Sequence, residues 1–205
     1  MAAASASAVE PDPGKTASIQ PLPDMTLGTR DAPVNMIEYA SLTCPYCARF
    51  DREVFPRIKK AYIDTGKVYY VFREMPGDGV ALRAAMIARS VDKKRFFDFI
   101  HGLFQTQKVW ANPTLWNDDS KTLSEKFTPL ATIARDQAGM PRDTFDMCLT
   151  DEALMRQVVM QAKRGVDEFG VNQTPDIFLN GRKFAGNVGS FESIDDAIRA
   201  LLETN

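Results

Sequence analysis

Two cysteines separated by two residues, Cys44-Pro45-Tyr46-Cys47, carry the most chemistry in this chain. They follow an apolar run, Met36-Ile37-Glu38-Tyr39, and open a stretch with helical periodicity. Two thiols on the first turn of a helix can close into a small disulfide ring. Unpaired N–H groups and the dipole at a helix N-terminus stabilise the thiolate of the first cysteine. The spacing therefore points to dithiol–disulfide exchange, with Cys44 as the exposed nucleophile and Cys47, one turn further in, as the more buried resolving thiol. The plainer readings are an inert structural disulfide or half of a zinc site. Zinc takes four ligands, and the other candidates, Cys148 and His101, stand far apart in sequence.

Further residues belong to the same argument. Glu38 is an acid in an otherwise apolar strand, six residues before Cys44. It is either an outward-facing strand residue or a buried carboxylate that exchanges protons with Cys47. Thr174-Pro175 precedes a late hairpin. Pro175 is either an ordinary trans loop proline or a cis proline facing Cys44, where the backbone of Thr174 would pair with an extended substrate. Cys148 reads as a small buried helix residue, and His101 as a solvated one rather than a base. Met86, Met140, Met147, Met155 and Met160 fall in a helical region and read mostly as core.

The elements that must position these groups follow from periodicity. Residues 1–24 are rich in Ala, Ser and Pro and read as a flexible tail. Residues 34–40 form the first convincing strand. Phe50, Val54, Ile58 and Tyr62 then mark one face of a helix that Pro56 should kink. Residues 67–73 are β-prone, which makes a βαβ unit with two parallel strands. Helical patterns follow at 80–90, 93–108, 124–138, 142–149 and 152–169, with loops at 111–113 and 117–120. Residues 176–179, the turn Asn180-Gly181 and residues 182–185 read as a hairpin. Ser193 to Asp196 resemble a capping box near the start of a last helix. The order predicts an α/β, thioredoxin-like fold: 25–76 and 171–205 form the parent domain, and 77–170 a helical insertion.

Composition bounds the function. The 205 residues are 44% hydrophobic with a net charge of −2, an ordinary globular balance that gives no support for nucleic-acid binding. Residues 1–8 end in a small-residue pattern, Ala6-Ser7-Ala8, but lack the charged start and apolar core of a secretory signal. They fit a processed exported chain or a plain flexible tail.

With these pieces in this order, residues 25–205 resemble the DsbA-like thiol–disulfide oxidoreductases of the thioredoxin superfamily. The resemblance rests on Glu38, the CPYC motif, the helical insertion, and Gly170-Val171-Asn172-Gln173-Thr174-Pro175 followed by Ile177-Phe178-Leu179-Asn180-Gly181. It implies an exported, periplasmic enzyme whose signal peptide is absent from this chain. It implies donation of a Cys44–Cys47 disulfide to reduced, unfolded secreted proteins through a mixed disulfide, and reoxidation by a DsbB-like membrane partner. It implies Cys44 as the attacking thiolate, Glu38 as the buried acid and Pro175 as cis, with no cofactor beyond the redox-active disulfide and no metal. Tyr46 departs from the His of the best-known oxidases, and Pro45 and Tyr46 tune the thiolate, so a less oxidising disulfide is expected. Thr174 also occurs before the cis proline in related isomerases and reductases. Those enzymes oligomerise through N-terminal regions, whereas residues 1–24 look too short for that, which favours a monomer. A disulfide isomerase or reductase on the same fold is the alternative. A chaperone-like binding module is a further one, and it predicts client binding that survives loss of both cysteines. A glutaredoxin would not need the helical block.

Overall fold

The computed structural model describes residues 20–204. Five strands, β1 (Met25–Leu27), β2 (Val34–Ala40), β3 (Val68–Glu74), β4 (Asp176–Leu179) and β5 (Arg182–Lys183), form one sheet in the order β1-β3-β2-β4-β5. The pair β2–β3 is parallel, and β1–β3, β2–β4 and β4–β5 are antiparallel. Val34, Met36, Glu38 and Ala40 share one face of β2 and are all buried. Glu38 therefore faces the interior, which removes the outward-facing reading of the sequence.

The crossover from β2 to β3 is α1 (Pro45–Glu53), α2 (Phe55–Ile58) and a π-helical turn over Lys59–Ile63. Phe50, Val54, Ile58 and Tyr62 are all buried along it, as their spacing predicts. The helix breaks at Val54 because Pro56 lacks an N–H and its ring crowds the carbonyl four residues back, on Arg52.

After β3 come α3 (Gly79–Ser90), a 3-10 turn (Lys93–Arg95), α4 (Phe96–Gln105), α5 (Gln107–Trp110), α6 (Pro113–Trp116), α7 (Leu123–Lys126), α8 (Thr128–Ala138), α9 (Arg142–Leu149) and α10 (Glu152–Phe169). The chain ends in α11 (Phe191–Glu203) after the β4–β5 hairpin, so the β-α-β, helical block, β-β-α order is the one expected.

Several details differ from the sequence reading. Strand β1 was not anticipated; three residues are too few to show a period. The predicted helix 93–108 is three pieces, and 124–138 divides at Phe127, just before Pro129 in the first turn of α8. The supposed loop at Pro113 is α6, capped by Asn112. The cap of α11 is Ser190, whose hydroxyl accepts from the Ser193 N–H, so Ser193 lies inside the helix and not at its start. Strand β5 stops at Lys183 instead of reaching residue 185.

The tail also needs correction. Residues 1–19 lie outside the described residues, but residues 20–24 are docked, not free. Asp24 grips Arg73 through both carboxylate oxygens at 2.8 and 2.9 Å, the Pro23 carbonyl accepts from Arg89, and the Gln20 carbonyl accepts from Gln157. Leu22 packs on the core.

One continuous core runs from the sheet through the inserted helices, joining Met36, Phe50 and Phe72 to Phe96, Leu103, Leu130 and Phe145. A buried ion pair fastens the two regions. Glu74, at the end of β3, takes a two-pronged bond from Arg89 of α3 and a third from Gln161 of α10; the two side chains of the ion pair are 2% and 3% exposed.

Candidate active site

Ladder geometry assembles the site. Tyr39 and Asp176 are the last paired residues of β2 and β4, so the loops that follow β2 and precede β4 leave the sheet side by side. The first carries Cys44 and the second Thr174-Pro175. Cys44 is the N-cap of α1, in extended conformation, and Pro45 occupies the first turn, where a missing N–H costs nothing. The Cys44 thiol lies 3.2 Å from the Thr174 carbonyl, to which it donates. The Thr174–Pro175 bond is cis, and Pro175 is buried.

The two sulfurs, present as free thiols, sit in opposite environments. Cys44 is half-buried and its pKa falls from 9.0 to about 5. The largest cause is a hydrogen bond from the Cys47 thiol, opposed by burial and reinforced by the side chain of Thr174 and by the backbone N–H groups of Cys47 and Tyr46. Those N–H groups belong to the first turn of α1 and have no helical acceptor of their own. Cys47 is fully buried; burial, then its bond to Cys44 and the nearby Glu38 and Cys44 charges, drive its pKa upward. Tyr46 points outward, 70% exposed.

Glu38 is 2% exposed, and burial raises its pKa from 4.5 to about 8, so the carboxyl is mostly protonated at neutral pH. Its partner is Tyr70, whose hydroxyl donates to Oε2 at 2.5 Å. Register explains the contact: Glu38 pairs with Phe72, which leaves Tyr70 as its diagonal neighbour on the same face. Burial raises Tyr70 well above its ordinary value. A second buried acid, Asp51 of α1, adds charge near Glu38; burial raises its pKa, and His101 on α4 opposes the rise from 2.6 Å. Gln105 holds the other ring nitrogen of His101 at 2.6 Å. Glu38, Asp51, Tyr70 and His101 line one cavity of about 490 Å³, walled by Phe55, Phe97 and Phe104.

A groove of about 280 Å³ opens beside Tyr46. Tyr46, Arg49, Gln173, Thr174, Pro175 and Val188 line it.

The structure thus brings together Cys44, Cys47, Pro45, Tyr46, Thr174 and Pro175, with Glu38 beneath them. Cys148 is half-buried on α9 and packs on the core, apart from this cluster. Met86 and Met140 are core, while Met147 and Met160 are exposed. His101 is not simply solvated, because it partners a buried acid. Sequence reasoning missed Asp51, Tyr70 and Gln107. Asp51 had a signal: it follows Cys47 by four residues and so shares its buried helix face. Gln107 had none, since its contacts cross from the helical block.

Comparison with known proteins agrees with this geometry. A family model described as thioredoxin matches residues 21–200. A Rickettsia felis protein, provisionally named a protein-disulfide oxidoreductase, is 33% identical over 181 residues, which make up 88% of this chain and 60% of that protein. The chain spans only 54–65% of the length of the Rickettsia relatives it matches. Among solved structures, alpha-DsbA1 of Wolbachia pipientis superposes with a TM-score of 0.76 at 31% identity, covering 90% of this chain and 94% of that one. A protein-disulfide isomerase of Novosphingobium aromaticivorans gives 0.74 at 25% identity, covering 87% and 97%. With a matched thioredoxin model over nearly its whole described length and DsbA structures on its fold, the chain belongs to the thioredoxin family, in its DsbA-like branch.

Proposed function

We propose that this protein is an exported thiol–disulfide oxidoreductase that donates the Cys44–Cys47 disulfide to reduced, unfolded secreted proteins. The observation that carries this reading is the opposed pair of sulfurs: Cys44 held as a thiolate near neutral pH and Cys47 held as a thiol. A client thiolate attacks the Cys44 sulfur, the Cys44–Cys47 bond breaks, and its electron pair leaves on Cys47. That sulfur needs a proton, and the protonated carboxyl of Glu38 is the buried acid nearby. A second client thiolate then attacks the client sulfur of the mixed disulfide and expels Cys44 as a stabilised thiolate, leaving the client oxidised and the enzyme reduced by two electrons. A good leaving thiolate at Cys44 favours donation over reduction. The groove at Tyr46, Thr174 and Pro175 would seat the client as an extended segment. A DsbB-like membrane partner would restore the disulfide in the periplasm, with the enzyme acting as a monomer.

The deciding experiment is the equilibrium of the Cys44–Cys47 disulfide against glutathione, read by thiol trapping. A potential nearer about −120 mV than about −270 mV supports donation. A value at the reducing end favours an isomerase or reductase, the reading that Thr174 and the Novosphingobium relative recommend. Rescue of a scrambled disulfide substrate and the oligomeric mass would separate the two.

A further inference from the structure

Gln107 opens α5 in the helical block, yet its side chain ends at the thiol loop. Its amide nitrogen donates to the Leu42 carbonyl at 2.8 Å and to the Cys44 carbonyl at 3.0 Å. A primary amide nitrogen carries two hydrogens, so both are committed to this loop. The Cys44 carbonyl also accepts the first helical hydrogen bond of α1, from Ala48 N–H at 3.1 Å. Gln107 therefore grips the residue where loop becomes helix, and a second one two positions earlier. The block supplies another brace: the Thr43 hydroxyl donates to Asp78 at 2.7 Å, while the other oxygen of Asp78 caps α3 at Ala81 N–H, also 2.7 Å.

We propose that Gln107 is a positioning residue of the thiol site: its forked donation sets the angle at which α1 presents its first N–H groups to the Cys44 sulfur. The bonds from Tyr46 and Cys47 N–H to that sulfur are directional, and they weaken steeply as donor angles open. The loop at 42–44 fixes those angles. Loop ends without side-chain anchors rock; here two carbonyls are tied to a helix that is itself held by buried Trp110, whose indole N–H donates to the Leu103 carbonyl at 2.8 Å. The helical insertion is then a jig for the thiolate as well as a cover for the sheet. This inference rests on the disulfide-exchange reading for its biological use, but not for its test.

The test compares the unsubstituted protein with Gln107→Met, which keeps length and loses the donors, and Gln107→Asn, which keeps the donors and shortens their reach. Thiolate absorbance in the reduced protein reads the Cys44 titration midpoint, and thiol trapping reads the equilibrium with glutathione. Both variants are expected to raise the midpoint by about half to one pH unit and to make the disulfide about threefold to tenfold less oxidising. A lower melting temperature with an unmoved midpoint in either folded variant overturns the proposal and leaves Gln107 a packing residue. A moved midpoint in a protein that oxidises no client keeps the positioning role and removes the proposed function instead.

Discussion

Replacing Glu38 by Gln should make the protein more stable at alkaline pH and remove one source of its pH dependence. The native carboxyl titrates at about 8 where the ordinary value is 4.5. Between those values the native state holds a proton that the unfolded chain has released, so stability falls as pH rises through that window. The carboxyl costs the fold about 3 kcal/mol at pH 7 and about 5 kcal/mol once it is ionised in both states. The amide keeps the oxygen that accepts from Tyr70, and burying its N–H₂ group offsets about 1–2 kcal/mol at every pH. Urea unfolding of the disulfide form, in which the cysteines do not titrate, isolates the effect. The difference in stability between the variant and the parent should shift by about 5 kcal/mol in the variant's favour between about pH 4 and about pH 9. A difference that stays flat within about 1 kcal/mol would refute the placement of Glu38 as a buried, protonated acid.

Other outcomes follow from the same contacts. Cys44, with its pKa lowered from 9.0 to about 5, should be alkylated at a rate that levels off above about pH 6. The reduced protein should therefore gain stability over the disulfide form as pH rises from 5 towards 9, because a depressed pKa stabilises the fold above it; melting both forms across that range checks the sign. Tyr46→His should raise the reduction potential, and an unchanged or lower value would refute the expectation that Tyr46 makes the disulfide less oxidising. Glu74→Gln strands Arg89 in a nearly dry site, and chemical denaturation should report a loss of about 3–5 kcal/mol; a loss below about 1 kcal/mol would mean that water reaches the pair.

Much of this was legible in the sequence because it is local or periodic. The strand 34–40 and the helices 142–149 and 152–169 appear where their patterns put them. The thiol pair announced itself through spacing alone. What escaped depends on partners distant in sequence. The depth of Glu38 is set by which face of β2 the helices cover, and a single strand cannot say that. Tyr70 becomes its partner only through the register of β2 against β3. The docking of residues 20–24 needs Arg73, Arg89 and Gln157, none of which changes the Pro-rich look of that stretch. The cap of α11 lies three residues before the capping-box pattern because Ser190 and Ser193 are both good cap residues; the Ser190 hydroxyl takes the Ser193 N–H, while the Ser193 hydroxyl is taken up by the Asn187 N–H.

The separation of 130 positions from Cys44 to Thr174 has a consequence for the order of events as the chain is made. The thiol motif emerges early and can wind its own first helical turn, but Gln107 follows 63 residues later, and the Thr174 loop later still. Strand β4 adds to β2 only after the whole helical block has been synthesised, a long-range pairing that has to close a large loop. Until then Cys44 lacks the walls and partners that complete its environment. The nascent chain therefore carries a more ordinary cysteine, and full reactivity toward other thiols is deferred until the molecule is whole.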